Sequence, residues 1–169
     1  AMGGLAAEAN EPVRAGVGLD GHFDEGGQDI LNPKGVNLIR SFPGMGIRVW
    51  GARTATSNPS WKYVNVRRLF IFIEESIRAN TNWAVFEPND EVLWVRVRRT
   101  IEVFLTGMWR AGYLAGSSPE EAFFVNIGHD TMSQDDIDNG RLICVIGVAP
   151  VKPAEFVIFR ISQKTSDAE

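Results

Sequence analysis

Near the start of the chain, Gly16-Val17-Gly18-Leu19-Asp20-Gly21 has the G-x-G-x-x-G spacing of a dinucleotide-binding loop. Such a loop works when a strand precedes it and a helix follows, so that the helix N-terminus meets a pyrophosphate. Here the preceding segment is Glu11-Pro12-Val13-Arg14. The following one, Phe23-Asp24-Glu25-Gly26-Gly27, is a poor helix, so a flexible loop is the simpler reading. A small-ligand or nucleotide-binding enzyme domain using Gly16–Gly21 stands as the alternative function. His129-Asp130 has the residue types of an acid–base or metal pair. The chain carries only two histidines, His22 and His129, and one cysteine, Cys144. That supply makes neither a metal site of three or more ligands nor a nucleophile–base–orienter triad. The carboxylate pairs Glu74-Glu75, Glu120-Glu121 and Asp135-Asp136 are sequence neighbours, which diverge by about 100° on a helix and do not face each other across a substrate. No catalytic, metal or cofactor-binding residue is assigned, no cofactor is expected, and the chain reads as a non-enzyme.

The elements that would hold a site come next. Residues 1–34 read as a flexible N-terminal segment, and the texture changes at Gly35. Val36–Ile39 is a short extended candidate, Ser41-Phe42-Pro43-Gly44 a turn, and Ile47–Trp50 a strand. Trp61–Val64 is again extended. Asn65 has the type of a helix N-cap. After it, Val66, Leu69, Phe70, Ile73 and Ile77 share one face, and Ile71 and Phe72 add apolar surface off that face, predicting a helix buried on most sides. Trp83–Phe86 reads as an inner strand. Asn89 or Asp90 opens the longest helix, with Leu93, Val97, Ile101, Phe104, Leu105 and Met108 on one side. Val95, Val103 and Trp109 sit among its polar positions, where a second partner could cover them. Arg67, Arg68, Arg96, Arg98, Arg99 and Arg110 concentrate on these two helices. They read either as solvated faces with local pairs such as Arg98 with Glu102, or as a charged protein-contact surface.

Ser118-Pro119 starts a short helical turn, and Phe123–Ile127 is a strand. Ser133 or Thr131 caps a short acidic helix that Asn139-Gly140 stops. Leu142–Val148 is a buried-type strand that holds Cys144 as a small hydrophobe. Pro150 and Pro153 then keep the chain extended and withhold backbone donors, separating a last strand, Glu155–Ile161, from what precedes it. That strand either returns as a hairpin within its own domain or pairs with another chain by edge addition. The fold class is α+β: a small mixed β-sheet packed with two long helices, with an extended C-terminal strand available for exchange.

Composition bounds the class of protein. The chain has 169 residues, 44% of them hydrophobic, with five Trp and ten Phe, enough for one domain with a real core. Net charge is −4, too acidic overall for a dedicated nucleic-acid binder. A single cysteine precludes an intramolecular disulfide and fits a reducing compartment. The sequence shows neither a signal peptide nor an apolar run long enough to span a membrane. The opening Ala1-Met2-Gly3-Gly4 is of the kind left by cloning, which fits a fragment of a longer chain or a minimal version of one.

Five segments together carry a family resemblance. Phe42-Pro43-Gly44-Met45-Gly46-Ile47-Arg48-Val49-Trp50-Gly51-Ala52-Arg53-Thr54 resembles the F-P-G-x-G-x-x-V-W-G-A-R-T signature of contractile tail sheath proteins. Tyr63–Phe70, Val85–Asp90 with Leu93-Trp94, Asp135–Leu142, and Val148–Val157 are similar to further stretches of that family, in the same order. The resemblance covers about residues 30–163. It implies a domain over 35–163 with an exchange strand within 154–162, and the polar, acidic residues that follow read as a disordered tail over 164–169.

The resemblance also implies a function. Sheath subunits of phage tails, tailocins and related injection systems form six-fold helical assemblies around an inner tube and drive its ejection by contraction. The C-terminal domain lies innermost. Its last strand, here Glu155, Phe156, Val157, Ile158, Phe159, Arg160 and Ile161, enters a neighbour's sheet, and another subunit's N-terminal arm joins it. No such arm is recognisable in residues 1–30. Expected partners are further sheath subunits, the inner tube protein, a baseplate and a tail terminator. Nucleic acid is not expected, and a membrane is involved only through the ejected tube. The particle would assemble in the bacterial cytoplasm. The tube-facing surface is expected at Asp135, Asp136, Asp138 and Arg141, where charge complementarity would set register.

Overall fold

The computed structural model describes residues 9–14 and 18–155. In chain order the regular elements are β1 (Glu11–Pro12), α1 (Glu25–Leu31), β2 (Leu38–Phe42), β3 (Gly46–Trp50), α2 (Val64–Thr81), α3 (Glu91–Arg110), α4 (Pro119–Ala122), β4 (Phe123–Ile127), α5 (Gln134–Asp138) and β5 (Cys144–Val148). The class is α+β, as the sequence predicts. The expected single mixed sheet is instead two antiparallel sheets, ordered β1-β3-β2 and β4-β5. For β2 and β3 the cause is connection length: the Pro43–Met45 turn is too short for anything but a hairpin, and parallel pairing needs a crossover of about a dozen residues or more.

Helix α3 is the spine of the core. Asp90 caps it by accepting from the Leu93 N–H at 2.9 Å, Glu91 lies in its first turn and Arg110 in its last, which suits the helix dipole at both ends. Leu93, Trp94, Val97, Ile101, Leu105 and Met108 are buried, and Leu105 is fully so. They meet Leu69 and Ile73 of α2 on one side and Val125 and Ile127 of β4 on the other. Trp94 is an addition to the expected stripe, its indole N–H donating to the Asn89 side chain at 2.8 Å. Phe104 is half-buried rather than fully inside.

Four local expectations need correction. Helix α2 begins before Asn65, which is not its cap. The Val64 N–H is already satisfied by the Ala52 carbonyl at 3.0 Å, which frees the buried Asn65 amide to donate to the Val151 carbonyl at 3.2 Å. Trp83–Phe86 is not an inner strand: residues Asn82–Ala84 form a 3-10 turn, and Phe86 adopts φ 70° with its side chain fully exposed. Ile71 and Phe72 are about half exposed, so α2 is buried along one face only. Finally, Phe23–Gly27 does enter a helix, because Asp24 caps α1 by accepting from the Gly27 N–H at 2.8 Å.

One glycine is required by its surroundings. Gly35 has φ 81°, and a Cβ there would lie 2.6 Å from the Thr54 carbonyl oxygen. This close approach lets the turn after α1 pack on the loop that carries Arg53, whose N–H donates to the Asn37 side chain at 2.8 Å.

Candidate functional site

The sheet β4–β5 has two strands, and five residue pairs from Phe123↔Val148 to Ile127↔Cys144 define its register. Alternation turns Cys144, Ile146 and Val148 toward the core and leaves Val145 about half exposed. On the outer face Phe124 lies across Gly147, where a Cβ would come within 2.1 Å of the Phe124 ring. An open groove of about 750 Å³ runs beside β5. Ile77 of α2, Leu93, Val97 and Ile101 of α3, and Leu142 and Ile146 form much of its apolar wall. Cys144 also lines it, and burial pushes its thiol up to about 11, against a smaller lowering by Arg98. Two strands alone are a marginal sheet, and an apolar groove beside a strand that is an edge among the described residues suits the addition of a third.

The chain leaving β5 is fastened rather than free. The Ala149 N–H donates to the Ala122 carbonyl at 2.8 Å, the Ala115 N–H to the Ala149 carbonyl at 2.7 Å, and the Val151 N–H to the Tyr113 carbonyl at 3.2 Å. Pro150 pairs with Leu114 as an isolated antiparallel bridge. Pro150 and Pro153 thus shape a docked connector within the domain.

That connector ends in an ion cluster. Arg53 grips the Glu155 carboxylate with two parallel bonds, Nε to Oε1 at 2.7 Å and Nη2 to Oε2 at 2.8 Å. The Tyr63 hydroxyl donates to Oε2 at 3.0 Å, and Lys62 Nζ lies 3.2 Å from the same oxygen. The Arg53 and Glu155 side chains are only 10% and 15% exposed. Arg53 holds the Glu155 carboxyl down at about 2 against the opposing effect of burial, with Tyr63 and Lys62 assisting. Glu155, the first residue of the expected exchange strand, is therefore held on its own domain. Phe156, Val157, Ile158, Phe159, Arg160 and Ile161 lie outside the described residues.

The four residues expected to face a tube are gathered around α5. Ser133 and Asp136 form a capping box, the Ser133 N–H donating to Asp136 at 2.9 Å and the Asp136 N–H to the Ser133 hydroxyl at 3.2 Å. Arg141 bridges Asp136 at 2.8 Å and Asp135 at 2.6 Å. The Ser133 hydroxyl and N–H, then Arg141, bring the Asp136 carboxyl down to about 2. Asp138 accepts from the Gln134 side chain at 2.8 Å. Asp136 is thus committed to local structure, whereas Asp135 keeps 77% of its side chain exposed.

The outer face of α3 carries Val92, Val95 and Val103, each 60% or more exposed. Arg96 lies 4.5 Å from the Trp83 ring centroid. Arg98 does not turn to Glu102: it donates across the core to the Ile127 carbonyl, tying α3 to β4. Arg67 packs over the Trp61 ring at 4.8 Å. Trp109 donates to the Gly116 carbonyl at 2.9 Å and is half-buried by its own domain.

The other chemistry candidates are not brought together. His129 stands edge-on to Trp94 with ring centroids 5.2 Å apart. Among the described residues, His, Cys, Asp and Glu form no group of three that could hold a metal ion. The N-terminus of α1 is taken by the Asp24 carboxylate, which opposes a pyrophosphate there. Among the same residues no helix is long and apolar enough to cross a membrane.

Sequence reasoning missed Arg53, Lys62 and Tyr63 as partners of Glu155. A signal existed, since Arg53 and Glu155 both lie within segments that carry the family resemblance, 102 positions apart.

Comparison with known proteins places the chain in a family. Residues 56–164 match the family model of the phage tail sheath C-terminal domain. The tail sheath protein of Vibrio phage KVP40 is 27% identical over 143 residues, covering 84% of this chain and 20% of the phage protein. A chain in the cryo-EM structure of the anti-feeding prophage baseplate, 6-fold symmetrised, superposes with a TM-score of 0.90 at 40% identity, covering 95% of this chain and 45% of that one. The sheath complex of an extracellular contractile injection system, PVC, in its contracted state gives 0.89 at 41% identity, covering 95% and 46%. The present chain thus spans about a fifth of the curated relative and under half of these solved chains. With the matched family model spanning more than half of its length, this chain belongs to the phage tail sheath C-terminal domain family.

Proposed function

We propose that the chain acts as a structural sheath domain, without catalysis, that joins copies of itself around an inner tube and shortens with the assembly to eject that tube. The observation that supports this reading is the β4–β5 sheet, two-stranded among the described residues, with an apolar groove beside it. The Phe156–Ile161 segment of a neighbouring copy supplies the missing strand. Its period-2 alternation places Val157, Phe159 and Ile161 on one face, suited to Leu93, Val97 and Ile101. An N-terminal arm from another subunit completes the sheet. Baseplate and terminator contacts follow from membership in such a particle.

Asp135, Asp138 and the Asp136–Arg141 pair face the tube in this reading, and charge there sets register more than affinity. Deleting residues 156–169 leaves a folded monomer and abolishes assembly, read by electron microscopy and sedimentation. Assembly by the truncated chain at the same concentration refutes strand exchange. Asp135→Lys with Asp138→Lys weakens co-sedimentation with tube, and unchanged binding removes that surface.

A further inference from the structure

The resemblance and the sheath reading concern the strand beyond Glu155, not what holds its root. The structure offers an answer in Arg53, Lys62, Tyr63 and Glu155. Arg53 belongs to the loop after β3, Lys62 and Tyr63 immediately precede α2, and Glu155 ends the connector after β5. The two outer parts of the chain therefore meet at one carboxylate. Its contacts leave little freedom: a bidentate guanidinium fixes the plane of the carboxylate, and the Tyr63 hydroxyl and Lys62 ammonium engage Oε2. Four residues upstream, the Val151 carbonyl is held by Asn65 at 3.2 Å and the Val151 N–H by Tyr113. Pro153, between these two anchors, restricts the backbone further.

We propose that Arg53, Lys62, Tyr63 and Glu155 are positioning residues for assembly: they clamp the root of the C-terminal segment so that it leaves the domain from one point in one direction. This rests on the strand-exchange reading and adds to it a fixed root. The chain from Pro150 to Pro153 is docked on its own domain, so both prolines belong to that root. The benefit is preorganisation. A strand held at its root searches a smaller volume for a neighbour's edge, which raises its effective concentration there.

The test uses the full 169-residue chain. Glu155→Gln removes the charge and keeps the shape. Its backbone amide exchange at Val151 rises about tenfold while amides of α3 keep their rates, and its self-association weakens about tenfold by sedimentation velocity. Arg53→Gln has the same effect, and Arg53→Lys, which keeps charge without the bidentate fork, recovers part of it. Tyr63→Phe, a milder change, gives a smaller shift in the same direction and covers the case in which a charge variant fails to fold. Unchanged exchange at Val151 in folded Glu155→Gln and Tyr63→Phe overturns the clamp. So does faster exchange without weaker association. Deletion of residues 156–169 runs in parallel. If it leaves association unaltered, strand exchange itself fails. If it abolishes association while Glu155→Gln associates normally, exchange stands and the clamp falls.

Discussion

Cys144 is a native reporter of the β5 edge, since it is the one cysteine in the sequence and it lines the groove. A thiol reacts as its thiolate. Raising the Cys144 thiol from 9.0 to about 11 lowers the thiolate fraction at pH 8 from roughly one in ten to roughly one in a thousand, about a hundredfold. Ellman's reagent should therefore label the folded chain at least about a hundredfold more slowly than the same chain in concentrated urea. In the strand-exchange reading, assembly should slow the reaction further, because a strand added along β5 would cover the groove. Titrating the rate against pH separates the causes. A thiolate-limited rate rises tenfold per pH unit toward 11, whereas simple occlusion gives a slow rate with an ordinary midpoint. Labelling of the folded monomer at the urea rate refutes the burial argument. Rapid labelling in assembled particles refutes the placement of a strand over this groove.

Three further outcomes follow from the packing. Leu105→Ala, at the one fully buried large position of α3, costs about 3 kcal/mol and lowers the urea midpoint by roughly 1.5 M; a shift below about 0.5 M counts against α3 as the spine. Gly35→Ala meets the Thr54 carbonyl in a left-handed conformation and costs at least roughly 2 kcal/mol, seen as a lower thermal midpoint, and wild-type stability would contradict the close approach. Glu155 contributes stability above its ordinary value of 4.5 that is lost as pH falls toward about 2, on the order of 1–3 kcal/mol; Glu155→Gln should show a shallower acid limb in pH-dependent urea melts, with the part from Asp136 remaining, and an identical limb in both proteins would exclude a contribution from Glu155.

The parts legible in the sequence are those set by local spacing and caps. Helix α3 could be read from its period and from Asp90, α5 from Ser133, and β4 from its β-branched and aromatic run. Helix α1 was missed on a local signal, its Asp24 cap, but several other roles were decided by a distant partner. Asn65 has the type of a cap, but Ala52 had already met the backbone's need, and the amide turned to Val151. Trp83–Phe86 has strand composition without a neighbouring strand to pair, so it became a turn between two helices. Arg98 had a plausible partner one turn away in Glu102 and instead reached a carbonyl on β4. At the candidate site, the apolar strand and the acidic helix were visible locally. The groove and the Glu155 cluster were not, since each draws on segments far apart in sequence.

The Arg53–Glu155 pair also determines how force would travel through the molecule. A pull on the chain beyond Glu155 does not first peel β5 from β4. It enters at Arg53, next to β3, and at Tyr63, at the foot of α2, more than 90 residues upstream in the chain. The β4–β5 ladder, which in the sheath reading receives a neighbour's strand, is thereby shielded from tension on its own C-terminal segment. In the sheath reading, one domain would carry load in and out by separate routes, and strain passed between subunits would bypass the β4–β5 sheet.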